Sequence, residues 1–234
     1  MSLWSGGTLR VMEELVAFVQ RELRRRADPA KAAPMAAYMK TDMPFYGVQK
    51  PGRNEVFQLA KRAFPIESRQ RYRDAVKALW RLPHREEKYL AIQFARGSDE
   101  HVVAANVPLY ERMIREGAWW DLVDELAIHV VGRVLLRERA EVRARLEKWI
   151  DDRDLWIRRS AIISQIRHRE ETDEAMLLDF CLRRAEEDEF FIRKAIGWSL
   201  REYAYVAPDV VRTFLRTHRE KFSGLTVREA SKHL

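Results

Sequence analysis

The chain has 234 residues, with 43 Lys and Arg against 36 Asp and Glu, for a net charge of +7. Hydrophobic residues make up 47%, and there are only 9 glycines and 8 prolines. That composition excludes low-complexity disorder and a collagen-like chain, and it argues against a many-turned β sandwich. The single cysteine, Cys181, excludes an internal disulfide and a thiolate zinc cluster and points to a reducing, cytoplasmic setting. No apolar run approaches the roughly 18 residues of a membrane span. Met1 to Arg10 lacks the basic-then-apolar order of a signal peptide and reads as a short flexible lead. The basic excess, 33 Arg and 10 Lys, points to a polyanionic partner, nucleic acid before membrane. A codon preference for Arg explains the same excess without a partner.

From residue 11 to the end, apolar residues recur three and four apart, which predicts one all-α domain over 11–234. Breaks are expected at Asp28-Pro29, Lys50-Pro51-Gly52, Phe64-Pro65, Leu82-Pro83, Gly97-Ser98-Asp99, Glu116-Gly117, Ala207-Pro208 and Ser223-Gly224. About a dozen helices of roughly ten to eighteen residues lie between them, with acceptors near their starts at Ser68, Asp99, Thr172 and Thr226. Met35 to Arg53 begins helical and ends in a turn carrying Lys50 and Arg53. Alone it reads as a polar loop after an amphipathic helix.

In the next informative segment, Trp119, Val123, Leu126 and Val130 form a core stripe. Trp120 and Asp124 are neighbours off that stripe. They mark either a second packing face, with Asp124 in an ion pair, or a functional surface. In the helix from Asp154, the expected stripe is Leu155, Ile162 and Ile166, with Trp156 and Ile163 at its edge. Arg159 falls inside it and must find an anion there. A protein carboxylate such as Asp124 or Glu125 would serve, and so would a bound phosphate.

The run Asp152 to Ala161 has an echo about 35 residues later, from Asp188 to Ile196. Both read Asp, spacer, branched apolar, Arg, then a small residue, which resembles the second helix of HEAT repeats. Arg158 and Arg193 are then structural, bonding the Asp or turn of a neighbouring repeat. The expected architecture is a curved, right-handed α-solenoid of HEAT-like helical repeats. In the echo, Ile192, Ile196 and Tyr203 mark the core. Trp198 lies to one side with Lys194 and Arg201, as a nucleic-acid surface or as a ring shielded by cations.

Gly-rich phosphate loops are missing from the sequence, and only Glu125 and His129 have metal-compatible helical spacing. His129 reads as solvated or partly core, and Cys181 reads as packing. Neither metal nor cofactor is expected.

Together these segments resemble the AlkD-type DNA alkylation repair glycosylases, built from HEAT-like repeats. The resemblance rests on Tyr38-Met-Lys, Phe45-Tyr-Gly-Val-Gln-Lys-Pro-Gly-Arg53, Trp119-Trp-Asp-Leu-Val-Asp124 and Trp156-Ile-Arg-Arg159. It rests above all on the run from Phe190 to Ala204, and it continues through Arg228 to Leu234. The chain ends at Leu234, earlier than the family leads one to expect. The resemblance implies that Trp120 and Trp198 pack against the sugar of a damaged nucleotide in a concave cleft. It implies that Asp124 is the catalytic carboxylate and that Arg159 grips a phosphate. Tyr38 and Gln49 stand where the family approaches DNA. Lys50, Arg53, Lys194 and Arg201 are the accompanying basic candidates.

The implied activity is excision of N3- and N7-alkylated purines from double-stranded DNA, by a monomer and without capture of the base. The departing base is already cationic, so no general acid is needed and one carboxylate suffices. The alternatives are a non-catalytic DNA-binding HEAT module and a protein-interaction solenoid.

Overall fold

Scarce glycine and proline punctuate a chain otherwise rich in helix formers, and every regular element among the described residues is helical. The computed structural model describes the backbone of residues 6–234 and the side chains from residue 10 onward. Of the expected lead, residues 1–5 lie outside the described residues, and Gly6 already opens the first helix. The described residues fall into two compact units, one up to His101 and one from Val102 onward.

The first unit holds α1 (Gly6–Arg25), α2 (Pro29–Met39), α3 (Lys50–Ala63), α4 (Arg69–Trp80) and α5 (Arg85–Gly97). Leu15, Val19 and Leu23 recur every fourth residue along α1 and are fully buried against α3, α4 and α5. Asp28 caps α2 and Ser68 caps α4, each accepting from a backbone N–H of the first turn. Lys50-Pro51-Gly52 opens α3 rather than breaking the chain, because proline is tolerated in a first turn.

The segment before α3, expected as a polar loop, is instead buried at Phe45, Tyr46 and Val48. The cause is Glu86, fully buried near the start of α5. Its carboxylate accepts the backbone N–H groups of Tyr46, Gly47 and Val48 at 3.0, 2.9 and 2.9 Å. Three donors satisfy the charge, so the aromatic and aliphatic side chains can close over it. Gly47 sits at φ +84°, and a Cβ there would stand 2.0 Å from the Asp28 carbonyl oxygen, so no other residue fits.

The second unit holds α6 (Val107–Gly117), α7 (Trp120–Leu126), α8 (Gly132–Arg137), α9 (Arg139–Trp149) and α10 (Leu155–Ile163). It continues with α11 (Glu174–Arg183), α12 (Phe190–Ala204), α13 (Pro208–Thr217) and α14 (Gly224–Ala230). A π-helical turn, Ala127–Val131, joins α7 to α8, with the Gly132 N–H bonded to the Ala127 carbonyl five residues back. Helices α7, α10, α12 and α14 begin 35, 35 and 34 residues apart, and each packs on the next. This is the period of the Asp152 and Asp188 echo.

The echo residues tie successive turns. Arg158 donates to both Glu187 oxygens, at 2.8 and 3.0 Å, and to the carbonyls of Asp152 and Arg153. Arg193 donates to the Glu187 carbonyl at 2.9 Å and pairs with Asp188. Arg158 thus reaches the following turn, as the resemblance to HEAT repeats suggested, whereas Arg193 holds only the turn that opens its own helix.

The expected stripe on α10 is corrected. Ile157, Ser160, Ile162 and Ile163 are its fully buried positions, so Ile162 is buried as expected, whereas Leu155 and, beyond the helix end, Ile166 are half-buried. α10 packs against α6, α7, α9, α11 and α12, so no single stripe defines its buried face. Tyr203 is also half-buried rather than core, its hydroxyl donating to Glu174 at 2.6 Å. Val123, Leu126, Val130, Ile192 and Ile196 are buried as expected. Among the described residues, no helix is long and apolar enough to cross a membrane.

Candidate functional site

Because α10 stacks on α7 at a period of 35, residues that far apart face each other, and Asp124 meets Arg159. Arg159 Nε and Nη2 donate to Asp124 Oδ1 and Oδ2, both at 2.7 Å, and Nη1 donates to the Phe191 carbonyl at 2.6 Å. Arg159 is only 5% exposed. Of the two anions open to it in the sequence, the structure supplies the protein carboxylate. Two parallel charge-assisted bonds fix the orientation of Asp124 as well as its charge. Burial pushes the Asp124 carboxyl above the ordinary aspartate range, Arg159 opposes that rise, and nearby Asp121 and Glu125 add to it.

Beneath this pair lies an aromatic cluster. Trp119 stands 5.8 Å from Trp156 and 5.5 Å from Phe191, and the Phe191 ring lies 5.8 Å from the Arg159 guanidinium. The cluster keeps water from one side of the ion pair.

On its other side Asp124 lines a pocket of about 330 Å³ together with Glu125, His129, Arg167 and Trp198. The π-helical turn brings Ile128 and His129 to this lining, and Glu125 and His129 approach to 3.9 Å. Trp198 forms part of the wall, its indole N–H donating to Glu202 at 3.2 Å. Trp120, one turn before Asp124 on α7, is half-buried and lies outside this lining. Asp124 and Trp198 are thus brought together around one cavity, Arg159 supports Asp124 from within, and Trp120 flanks it. Among the described residues, no cluster of three His, Cys, Asp or Glu is placed to hold a metal ion. Cys181 is fully buried, and burial pushes its thiol up.

Lys194 and Arg201, expected beside Trp198, pair chiefly with a different group, and Arg201 Nε also lies 3.8 Å from Glu202, the acceptor of the Trp198 indole. Both pair with Glu229 of α14, at 2.9 and 3.0 Å, and Lys232 joins them at 2.8 Å. Lys232 and Lys194 hold the Glu229 carboxyl down to about 2. Sequence reasoning missed Glu229. The signal was available, since Lys194 and Glu229 stand at the same spacing as Asp124 and Arg159.

Tyr38, Gln49, Lys50 and Arg53 belong to the first unit. Tyr38 is 73% exposed at the end of α2, and Gln49 and Lys50 are exposed where α3 begins. Arg53 donates to the Val48 carbonyl at 3.0 Å and lies 4.3 Å over the Tyr89 ring.

A partly buried, oriented carboxylate opening on a cavity with an indole wall can stabilise developing positive charge and orient a water molecule. A family model described as a DNA alkylation repair enzyme matches residues 19–234. A solved structure described as a predicted DNA alkylation repair enzyme from Enterococcus faecalis is similar, with 28% identity and a TM-score of 0.83. The match covers 89% of this chain and 97% of that one. No curated protein matches the chain.

Proposed function

The chain belongs to the DNA alkylation repair enzyme family, and from that premise we propose that it is a DNA glycosylase. It hydrolyses the N-glycosidic bond of cationic N3- and N7-alkylated purines in double-stranded DNA. The observation that carries this reading is the Asp124–Arg159 clamp opening onto a cavity walled by Trp198.

Alkylation at a ring nitrogen gives the purine a positive charge. Cleavage of the C1′–N bond returns the bonding electrons to the base, which departs neutral, and the charge moves to the sugar. Asp124 stabilises that oxocarbenium charge and orients the water that attacks C1′, the water's proton passing to solvent or to the carboxylate. Trp198 offers an electron-rich face to the cationic sugar, worth about 1 kcal/mol or more in a dry site, and Trp120 flanks the carboxylate. Arg159 keeps both Asp124 oxygens in place, so the carboxylate needs no reorganisation as charge develops. An uncharged lesion such as uracil lacks the activated leaving group and is turned over poorly.

The test is incubation with duplex DNA containing 7-methylguanine, scored for free base and an abasic site, with Asp124→Asn alongside at matched DNA affinity. Release by the natural chain and a large loss in the variant supports the reading. Tight duplex binding without release, here and from 3-methyladenine DNA, reduces the protein to a non-catalytic DNA-binding module.

A further inference from the structure

The pocket that Asp124 opens onto is acidic. Asp124, Glu125 and Glu202 all line it. A DNA backbone brings further negative charge to this place, so a cation must meet it. Arg159 is enclosed and engaged by Asp124 and the Phe191 carbonyl. Lys194 pairs with Glu229, and Arg201 is shared between Glu229 at 3.0 Å and the pocket's own Glu202 at 3.8 Å. His129 pairs with Glu125 at 3.9 Å, and Arg169 lies 5.6 Å over the Tyr205 ring.

Arg167 differs from all of these. It lines the pocket and is exposed, and among the described residues it has no ion pair, hydrogen bond or ring contact. Its backbone is nonetheless firmly set. Two positions before it, Gln165 is buried and bonds the Asp173 carbonyl at 3.1 Å and the Asp173 N–H at 2.7 Å. One position after it, His168 is buried and its Nε2 lies 2.8 Å from the Gly132 carbonyl. A turn clamped on both sides thus presents one unpartnered guanidinium to the mouth of the cavity. A planar fork on a rigid base suits a tetrahedral anion.

We infer that Arg167 holds a DNA backbone phosphate at the mouth of the Asp124–Trp198 pocket. Resting on the glycosylase reading, this makes Arg167 a positioning residue. It sets the sugar of the damaged nucleotide against Asp124 and takes no part in bond cleavage. A cation just beyond the α10 C-terminus also meets the negative end of the helix dipole. That purely structural role would leave the salt dependence of binding untouched.

The experiment measures binding to a duplex containing a tetrahydrofuran abasic-site analogue across a salt series. This reads phosphate contact without requiring catalysis, so it stands even if no base release is found. Arg167→Gln is expected to flatten the slope of log affinity against log salt by about 0.9, one phosphate contact. Arg167→Lys keeps the natural slope. Arg216→Gln, which removes an exposed cation from α13, also keeps it. A natural slope in Arg167→Gln overturns the proposal, whatever happens to its stability. So does an equal loss in Arg216→Gln, because that would reflect bulk charge alone.

Discussion

Arg159 meets Asp124 through two bonds of equal length, so neither carboxylate oxygen is free to turn. The pairing has consequences for both activity and folding. Arg159→Lys keeps the charge but loses the fork. It is expected to lower kcat for base release by at least about tenfold, with little change in KM. Arg159→Ala leaves a buried carboxylate unpaired and is expected to destabilise the fold by roughly 3–5 kcal/mol in urea unfolding.

The same pair sets a pH dependence. The proposed reaction needs the ionised Asp124, and burial raises its carboxyl above the ordinary aspartate range. Activity is therefore lost as pH falls through that raised value, earlier than for an ordinary aspartate. Arg159 opposes the rise, so Arg159→Gln moves the acid limb to still higher pH. The profile of kcat/KM against pH, which reports the free enzyme, checks both statements.

Gly132 is surrounded by contacts from three directions. Its N–H closes the π-helical turn, its carbonyl meets His168, and a Cβ on it would stand 2.2 Å from the Ser164 carbonyl oxygen. Its φ of −59° is ordinary, so the constraint is close approach and not backbone strain. Gly132→Ala is expected to cost about 1–3 kcal/mol by overpacking, measured by chemical denaturation.

Glu86 anchors the segment before α3 through three backbone N–H groups. Glu86→Ala orphans those donors and is expected to cost roughly 3–5 kcal/mol. Hydrogen exchange at the amides of Tyr46, Gly47 and Val48 accelerates in this variant, while amides deep in α7 keep their protection relative to global unfolding.

Lys232 and Lys194 hold the Glu229 carboxyl down to about 2 in the folded chain, well below the ordinary glutamate range. A depressed carboxyl contributes stability that is fully present above the unfolded value and lost as pH falls through the folded one. Glu229→Gln is therefore expected to weaken the fold near pH 6 and to show a smaller further loss on going to about pH 3. Denaturant midpoints at the two pH values give the comparison.

Much of the helical pattern was legible because proline, glycine and Asp caps interrupt it at the right places. The breaks around Glu138, residues 150–154 and residues 184–189 were harder to place, because those turns contain neither proline nor glycine, although Asp154 caps the helix after the second of them. Arg and Asp or Glu ion pairs hold the last two, and such pairs look like solvated charge in a linear reading. Arg159 was informative because a guanidinium within an apolar stripe demands an anion, and its partner was one of two carboxylates considered. Glu86, Gln165 and His168 gave no comparable sign. Their partners include backbone groups distant in sequence, which side-chain pattern does not record.

The π-helical turn at Ala127–Val131 also governs how this chain tolerates change in length. A π turn holds one residue more than the α turn it replaces. Deleting a single residue there would restore α geometry and leave α7 nearly in register with α8, because the wider turn absorbs the extra residue without turning its flanks. Asp124 would keep its place opposite Arg159, and the loss would fall on the turn that carries Ile128 and His129 to the cavity. The same deletion made within α7 after Asp124 would turn the carboxylate by about 100° away from its partner, so this one stretch is where the helix can shorten without losing the clamp.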